Sequence, residues 1–193
     1  VSEMYPVRQA VFVEPPPIAD ELCGASRPGH FRGMATVVLK LLNIVQPQAA
    51  LFGKKDYQQL HIIRRMVAEL NLPVRTVGGE TVRAADGLAL SSRNQYLNEA
   101  QRSEATFLYQ TLQGMRLAIL QGERDFEQLE QRAVEALAAR GWLPDYVAVR
   151  NQSDLQPAMP VQGGPAQREL VILAAARLGN TRLIDNVEVC LVD

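Results

Sequence analysis

The chain has 193 residues, 47% of them hydrophobic, and a formal net charge of −1. That length suits one large domain or two small ones, and the balanced charge gives no case for nucleic acid or an anionic membrane as a partner. No apolar run approaches the ~20 residues of a membrane span, the first residues lack a secretion signal, and Cys23 and Cys190 form no CxxC pair that would mark a metal site.

Residues 9–13 (QAVFV) read as a short strand, stopped by Pro15, Pro16 and Pro17. A loop of turn formers, residues 24–33 (GASRPGHFRG), follows. Met34, Val37, Val38, Leu41, Leu42 and Val45 then recur at three- and four-residue steps, which predicts a helix ended near Pro47. Residues 49–52 (AALF) form a short continuous apolar run, the pattern of a buried strand, broken at Gly53. A second helix is predicted from about Asp56, with Leu60, Ile63, Val67 and Leu70 on one face and Asn71 and Pro73 at its end. Residues 74–77 read as the next strand. Strand, helix and strand in this order predict a parallel βαβ unit with a right-handed crossover.

Beyond Ser92 the pattern changes. Asn98 is placed to cap a helix, with Gln101 as its capping-box partner. Ala105, Leu108, Leu112, Met115 and Ile119 form the buried stripe, and Gly122 ends it. Asp125 caps another helix, with Phe126, Leu129, Ala133 and Leu137 inward and Gly141 as its stop. Residues 146–150, 170–175 and 187–191 read as strands, with Pro157, Pro160 and Gly163-Gly164 in their connections. The expected fold class is therefore α/β: a parallel sheet over residues 1–81, followed by a small α+β domain over residues 82–193. The first part lacks an opening strand-loop-helix. A sheet this narrow leaves an edge and a face uncovered, so either a partner covers them or the natural chain begins earlier.

Residues 53–56 (GKKD) follow the strand AALF, at the carboxyl end where open α/β sheets place ligands. The helix start adds free N–H groups, and lysine suits phosphate as a point charge. A solvated loop with Asp56 as a plain N-cap is the competing reading. Gln59 lies on the first turn of that helix, where it could bind a small polar substrate or simply face solvent, and Phe52 could wall the same pocket or pack in the core. Ser91, Ser92 and Arg93 could cradle phosphate, the arginine as a fork, or form an ordinary turn. His30 and His61 have no serine-histidine-aspartate context.

Taken together, residues 24–33, 52–60 (FGKKDYQQL) and 86–97 (DGLALSSRNQYL) resemble the pantothenate synthetase (pantoate–β-alanine ligase) family, and residues 178–186 (LGNTRLIDN) resemble its C-terminal segment. The resemblance implies a Rossmann-like nucleotidyltransferase domain and a smaller C-terminal lid. It implies that pantoate attacks ATP to give pantoyl adenylate and pyrophosphate, with Mg2+ carried on the phosphates, and that β-alanine then displaces AMP. It also implies a cytoplasmic homodimer, with residues 9–13 as a candidate dimer strand. Carried over, Gly53, Lys54, Lys55 and Asp56 hold ATP, with Lys55 the chief phosphate contact. Val82 meets the adenine side, while Leu90, Ser91, Ser92 and Arg93 close over the phosphates. Gln59 binds pantoate, with Phe52 against its methyl groups. Lys55, Ser91, Ser92 and Arg93 carry the catalysis.

Two departures stand out. The family usually has glutamate where Lys54 stands. Its opening segment, with an HxGH pattern whose histidines serve adenylation, does not occur in these residues, nor do the first strands of the sheet. The chain thus reads as the C-terminal two-thirds of such an enzyme and is expected to make little or no pantothenate alone. The alternatives are a non-catalytic nucleotide-binding or dimerisation module, and another adenylyl-transferring enzyme of the same superfamily.

Overall fold

The computed structural model describes residues 3–159 and 169–191. The connection bearing Pro160, Gly163 and Gly164 lies outside them. Two compact units make up the chain. The first comprises Val1–Phe52 and Gln58–Gly79; the second comprises Gly53–Tyr57 and Glu80–Asp193.

In the first unit, helix α1 (His30–Val45) starts behind Gly29, whose φ of 74° suits a residue without a Cβ. It stops at Gln46, whose N–H bonds the Leu42 carbonyl at 2.8 Å. The predicted apolar face is covered only at its beginning. Phe31, Met34 and Ala35 are buried, whereas Leu41, Ile44 and Val45 are exposed. Strands β1 (Ala49–Gly53) and β2 (Arg75–Gly79) pair in parallel, joined by helix α2 (Tyr57–Glu69). This is the predicted βαβ unit.

Two local expectations fail here. Strand β1 is not buried on both faces: Leu51 is 75% exposed, because alternate side chains of a strand point opposite ways and only one face is covered. Residues 9–13 form no strand. The Val13 N–H goes to the Thr36 hydroxyl at 3.0 Å rather than to a ladder, and Val11 and Phe12 face outward. Helix α2 behaves as its period demands, burying Leu60, Ile63 and Val67, although Leu70 beyond its end is exposed. Gln58 ties this helix to the loop before α1. Its amide donates to the carbonyls of Ile18 (2.7 Å) and Glu21 (2.9 Å) and accepts from the Cys23 N–H (3.1 Å).

The second unit is an antiparallel meander of β3 (Trp142–Asn151), β4 (Glu169–Leu178) and β5 (Thr181–Cys190), in that spatial order. All three strands outrun their apolar stretches, because ladder pairing continues through polar ends such as Arg177↔Arg182. Gly179 and Asn180 make the two-residue hairpin between β4 and β5, with Gly179 at φ 58°.

Ahead of the sheet come α3 (Glu99–Glu104), α4 (Thr106–Leu120) and α5 (Phe126–Ala139). The capping box is formed: Asn98 Oδ1 accepts from Gln101 N–H at 2.8 Å, and Gln101 Oε1 accepts from Asn98 N–H at 3.1 Å. The single helix expected from Asn98 to Gly122 is instead two, divided at Ala105. Helices α4 and α5 lay the expected stripes, including Leu108, Leu112, Ile119, Leu129 and Leu137, in one core with the sheet. Trp142 sits in that core, and its indole N–H reaches Glu104 at 3.0 Å. Arg140 clamps the same carboxylate at 2.8 and 2.6 Å, which with the indole bond holds the Glu104 pKa below the ordinary carboxylate value.

Candidate active site

The sequence GKKD leaves β1 as a single 3-10 turn over Lys54–Asp56. Asn186, in the middle of β5, fixes it. The Asn186 amide donates to the carbonyls of Lys54 and Lys55, each at 2.9 Å. The two lysines then diverge. Lys54 Nζ lies 2.8 Å from Glu188 and 2.7 Å from Glu80. Its hydrogen bond to Glu188, followed by that to Glu80, raises its pKa above the ordinary lysine value. Tyr57 completes the cluster, donating its hydroxyl to Glu188 at 2.9 Å. Lys55 forms no ion pair among the described residues. Asp56 is exposed on the same turn.

The segment before Ser91 folds back on itself. Ala84 N–H bonds the Leu88 carbonyl and Leu90 N–H bonds the Val82 carbonyl, both at 2.9 Å, around the Arg83↔Ala89 bridge. Asp86 and Gly87 form the tip. Asp86 accepts from the Leu88 N–H and pairs with Arg102 at 2.7 Å, and this pairing lowers its pKa. Gly87 has φ 92°, and a Cβ there would lie 2.6 Å from the Tyr109 ring. The turn therefore needs glycine for both conformation and space. Arg83 stacks over the same ring at 3.8 Å and grips Asp185 with two bonds of 2.6 and 2.8 Å. It also donates to the carbonyls of Gly87 (3.1 Å) and Asn186 (3.2 Å).

This hairpin delivers the polar run. Ser91 caps the 3-10 turn Ser92–Tyr96 by accepting from the Arg93 N–H at 3.2 Å. Ser92 and Arg93 are exposed, and the Arg93 guanidinium pairs with no carboxylate among the described residues. Asn94 donates to the Ala89 carbonyl at 3.0 Å, while its own buried Oδ1 lacks a partner among the described residues. Val82 and Leu90, backbone partners across the hairpin, are both exposed apolar residues.

Lys55, Ser91, Arg93, Asn94 and Asp185 line one crevice. It encloses about 10 Å³, the room of one water, so a larger anion would sit at its mouth rather than inside it. Lys55, the Arg93 fork and Ser91 thus converge on a small volume, a pattern suited to phosphate oxygens. Phe52 and Gln59 belong to the first unit, where each is partly buried. The neighbouring Gln58, which has no local signal in the sequence, makes three hydrogen bonds to the loop before α1, two of them buried. Arg83, Asp185, Asn186 and Glu188 carried no local signal, since the bonds that join them to the loops span 102 to 134 residues; the resemblance of residues 178–186 pointed to Asp185 and Asn186 alone.

The family profile described as Pantoate-beta-alanine ligase matches residues 1–188. The pantothenate synthetase of Nitrosospira multiformis is 57% identical over 186 residues, which cover 96% of this chain and 65% of that protein. A crystal structure of the Thermus thermophilus pantothenate synthetase superimposes with a TM-score of 0.87 at 44% identity, covering 96% of this chain and 66% of that one. The pantoate-beta-alanine ligase of Francisella tularensis, solved in complex with beta-gamma ATP and beta-alanine, gives a TM-score of 0.69 at 31% identity and covers 96% and 61%. The chain thus spans just under two thirds of the length of these relatives. By the family profile over residues 1–188 and by this identity, the chain belongs to the pantoate-beta-alanine ligase family.

Proposed function

We propose that the protein at its full natural length joins pantoate to β-alanine at the expense of ATP, by way of a pantoyl adenylate. A carboxylate oxygen of pantoate attacks the α-phosphorus, and the bond to the bridging oxygen breaks to release pyrophosphate. The β-alanine amine then attacks the acyl carbon, the carbon–oxygen bond to AMP breaks, and the ammonium proton leaves to solvent. The observation that carries this reading is the meeting of Lys55, Ser91 and Arg93 at one crevice, with both cationic groups unpaired among the described residues.

In this reading residues 53–56 seat the triphosphate. Lys55 and Arg93, with Ser91 and Ser92, meet the negative charge that builds on departing pyrophosphate. Lys54 contributes through its backbone, since its ammonium is held by Glu188 and Glu80. The exposed pair Val82 and Leu90 offers an apolar seat for the nucleoside, and Gln59 and Phe52 meet pantoate. Residues 1–81 supply the pantoate contacts and the 53–56 loop, and residues 82–193 supply the serine run, with Gly53–Tyr57 packed in the second unit. The phosphates carry Mg2+, which screens their charge. The fit is to a shared ion rather than a protein cage: no cluster of three metal-ligating side chains occurs among the described residues, and Asp56 is the loop's one carboxylate. A cytoplasmic homodimer completes the reading. No helix among the described residues is long and apolar enough to cross a membrane.

The test is ATP–pyrophosphate exchange by the protein at its full natural length, without β-alanine. Exchange that depends on pantoate, and not on other small hydroxy acids, is expected. Exchange with a different acid and none with pantoate would reassign the substrate.

A further inference from the structure

Asp185 and Asn186 are adjacent residues in the middle of β5, buried to 4% and 6% exposure. Burying two polar side chains in a sheet is costly unless each is fully bonded. Here each is bonded, and each to a different loop. Asn186 holds the carbonyls of Lys54 and Lys55. Asp185 holds Arg83, the root of the hairpin that ends in Ser91, Ser92 and Arg93. Successive side chains of a strand point to opposite faces, so one dipeptide serves both sides. Asp185 lines the crevice with Lys55 and Ser91, while Asn186 lines a separate cavity of about 240 Å³ with Lys54, Arg83 and Glu188, so each cavity draws on both loops. The Arg83 guanidinium closes the arrangement by donating to the Asn186 carbonyl as well.

We propose that Asp185 and Asn186 are positioning residues that set the spacing of the two phosphate-binding loops from a single point in the sheet. The proposal rests on the ATP reading above. Neither side chain needs to touch the nucleotide. The strand is paired along β4 through Leu173↔Asn186 and Ala174↔Asp185, so its centre is a rigid datum to which both loops are referred. Loops held this way present Lys55 and the serine run without reorganising when the phosphates arrive.

The experiment compares wild type with Asn186→Ala, Asn186→Asp and Asp185→Asn, each in the protein at its full natural length. Amide hydrogen exchange, followed by mass spectrometry, reads the anchoring. Titration with ATP, together with the KM values for ATP and pantoate in the exchange assay, reads its consequence. Asn186→Ala is expected to speed exchange over residues 53–57 while α4 and β4 stay protected. ATP affinity should fall about tenfold, as for loss of a buried hydrogen-bond donor, with the pantoate KM unchanged. Asn186→Asp should be worse, since it turns an acceptor toward two carbonyls. Asp185→Asn should speed exchange over residues 82–94 and weaken ATP likewise. Unchanged protection of residues 53–57 in Asn186→Ala overturns the proposal. So does faster exchange with unaltered ATP affinity, or an equal rise in both KM values, because these indicate a merely structural role. If wild type binds ATP without pantoate-dependent exchange, the substrate reading fails and the titration still decides the positioning. If wild type binds no ATP, both fall.

Discussion

Replacing Lys55 by methionine is expected to lower kcat/KM for pantoate-dependent pyrophosphate exchange by roughly 10²- to 10³-fold, the usual cost of removing one preorganised charge-stabilising group. Methionine keeps most of the apolar stem and removes the ammonium, with both its charge and its donors. Lys54 and Lys55 are chemically identical, yet Lys54 is engaged by Glu188 and Glu80 while Lys55 pairs with no carboxylate among the described residues. An ammonium already neutralised by two carboxylates has little left to offer a phosphate. Lys54→Met should therefore cost much less in kcat than Lys55→Met and act through loosening of the loop. Steady-state kinetics on the two variants side by side make the check. A large loss for Lys54→Met with near wild-type activity for Lys55→Met would reverse the assignment.

Leu112→Ala should destabilise the second unit by about 2–5 kcal/mol, the range for truncating a fully buried leucine. Leu112 has 0% exposure and sits at the centre of the α4 stripe. Against a typical domain stability of about 5–15 kcal/mol, that is a large fraction. The chain's single tryptophan, Trp142, lies in the same core and reports its unfolding directly. Urea titration followed by its fluorescence should show an earlier midpoint with a similar slope. A loss below about 1 kcal/mol would mean that the site collapses around the alanine, contrary to the close packing described.

What was legible in the sequence followed from local signals. The capping pair Asn98 and Gln101, the Asp125 cap and the stripes of α4 and α5 depend on residues within a turn or two, and each formed as read. The division at Ala105 was not legible, because no glycine or proline marks it. Periodicity also reports which face could be buried, not whether anything covers it. Leu41, Val45 and Leu51 have the right spacing and remain exposed. The QAVFV segment shows the same limit from the other side: its β-rich composition finds no pairing strand among the described residues.

The site divides in the same way. GKKD and the serine run stood out as candidates, with a plain loop or turn as the competing reading of each until the family resemblance joined them. Their relation to each other did not, since it is made by Arg83, Asp185 and Asn186 over more than a hundred residues. The difference between Lys54 and Lys55 was equally hidden, because it depends on carboxylates at positions 80 and 188.

The central claim is that the two loops serve an acyl-adenylating ligase. Its most direct test is to supply the full-length protein with pantoate labelled with ¹⁸O in the carboxylate, together with ATP and β-alanine, and to weigh the products. Attack by the carboxylate on the α-phosphorus, followed by amide formation at the acyl carbon, predicts one ¹⁸O in AMP and one in pantothenate. Label appearing in inorganic phosphate, with ADP as the nucleotide product, would contradict it.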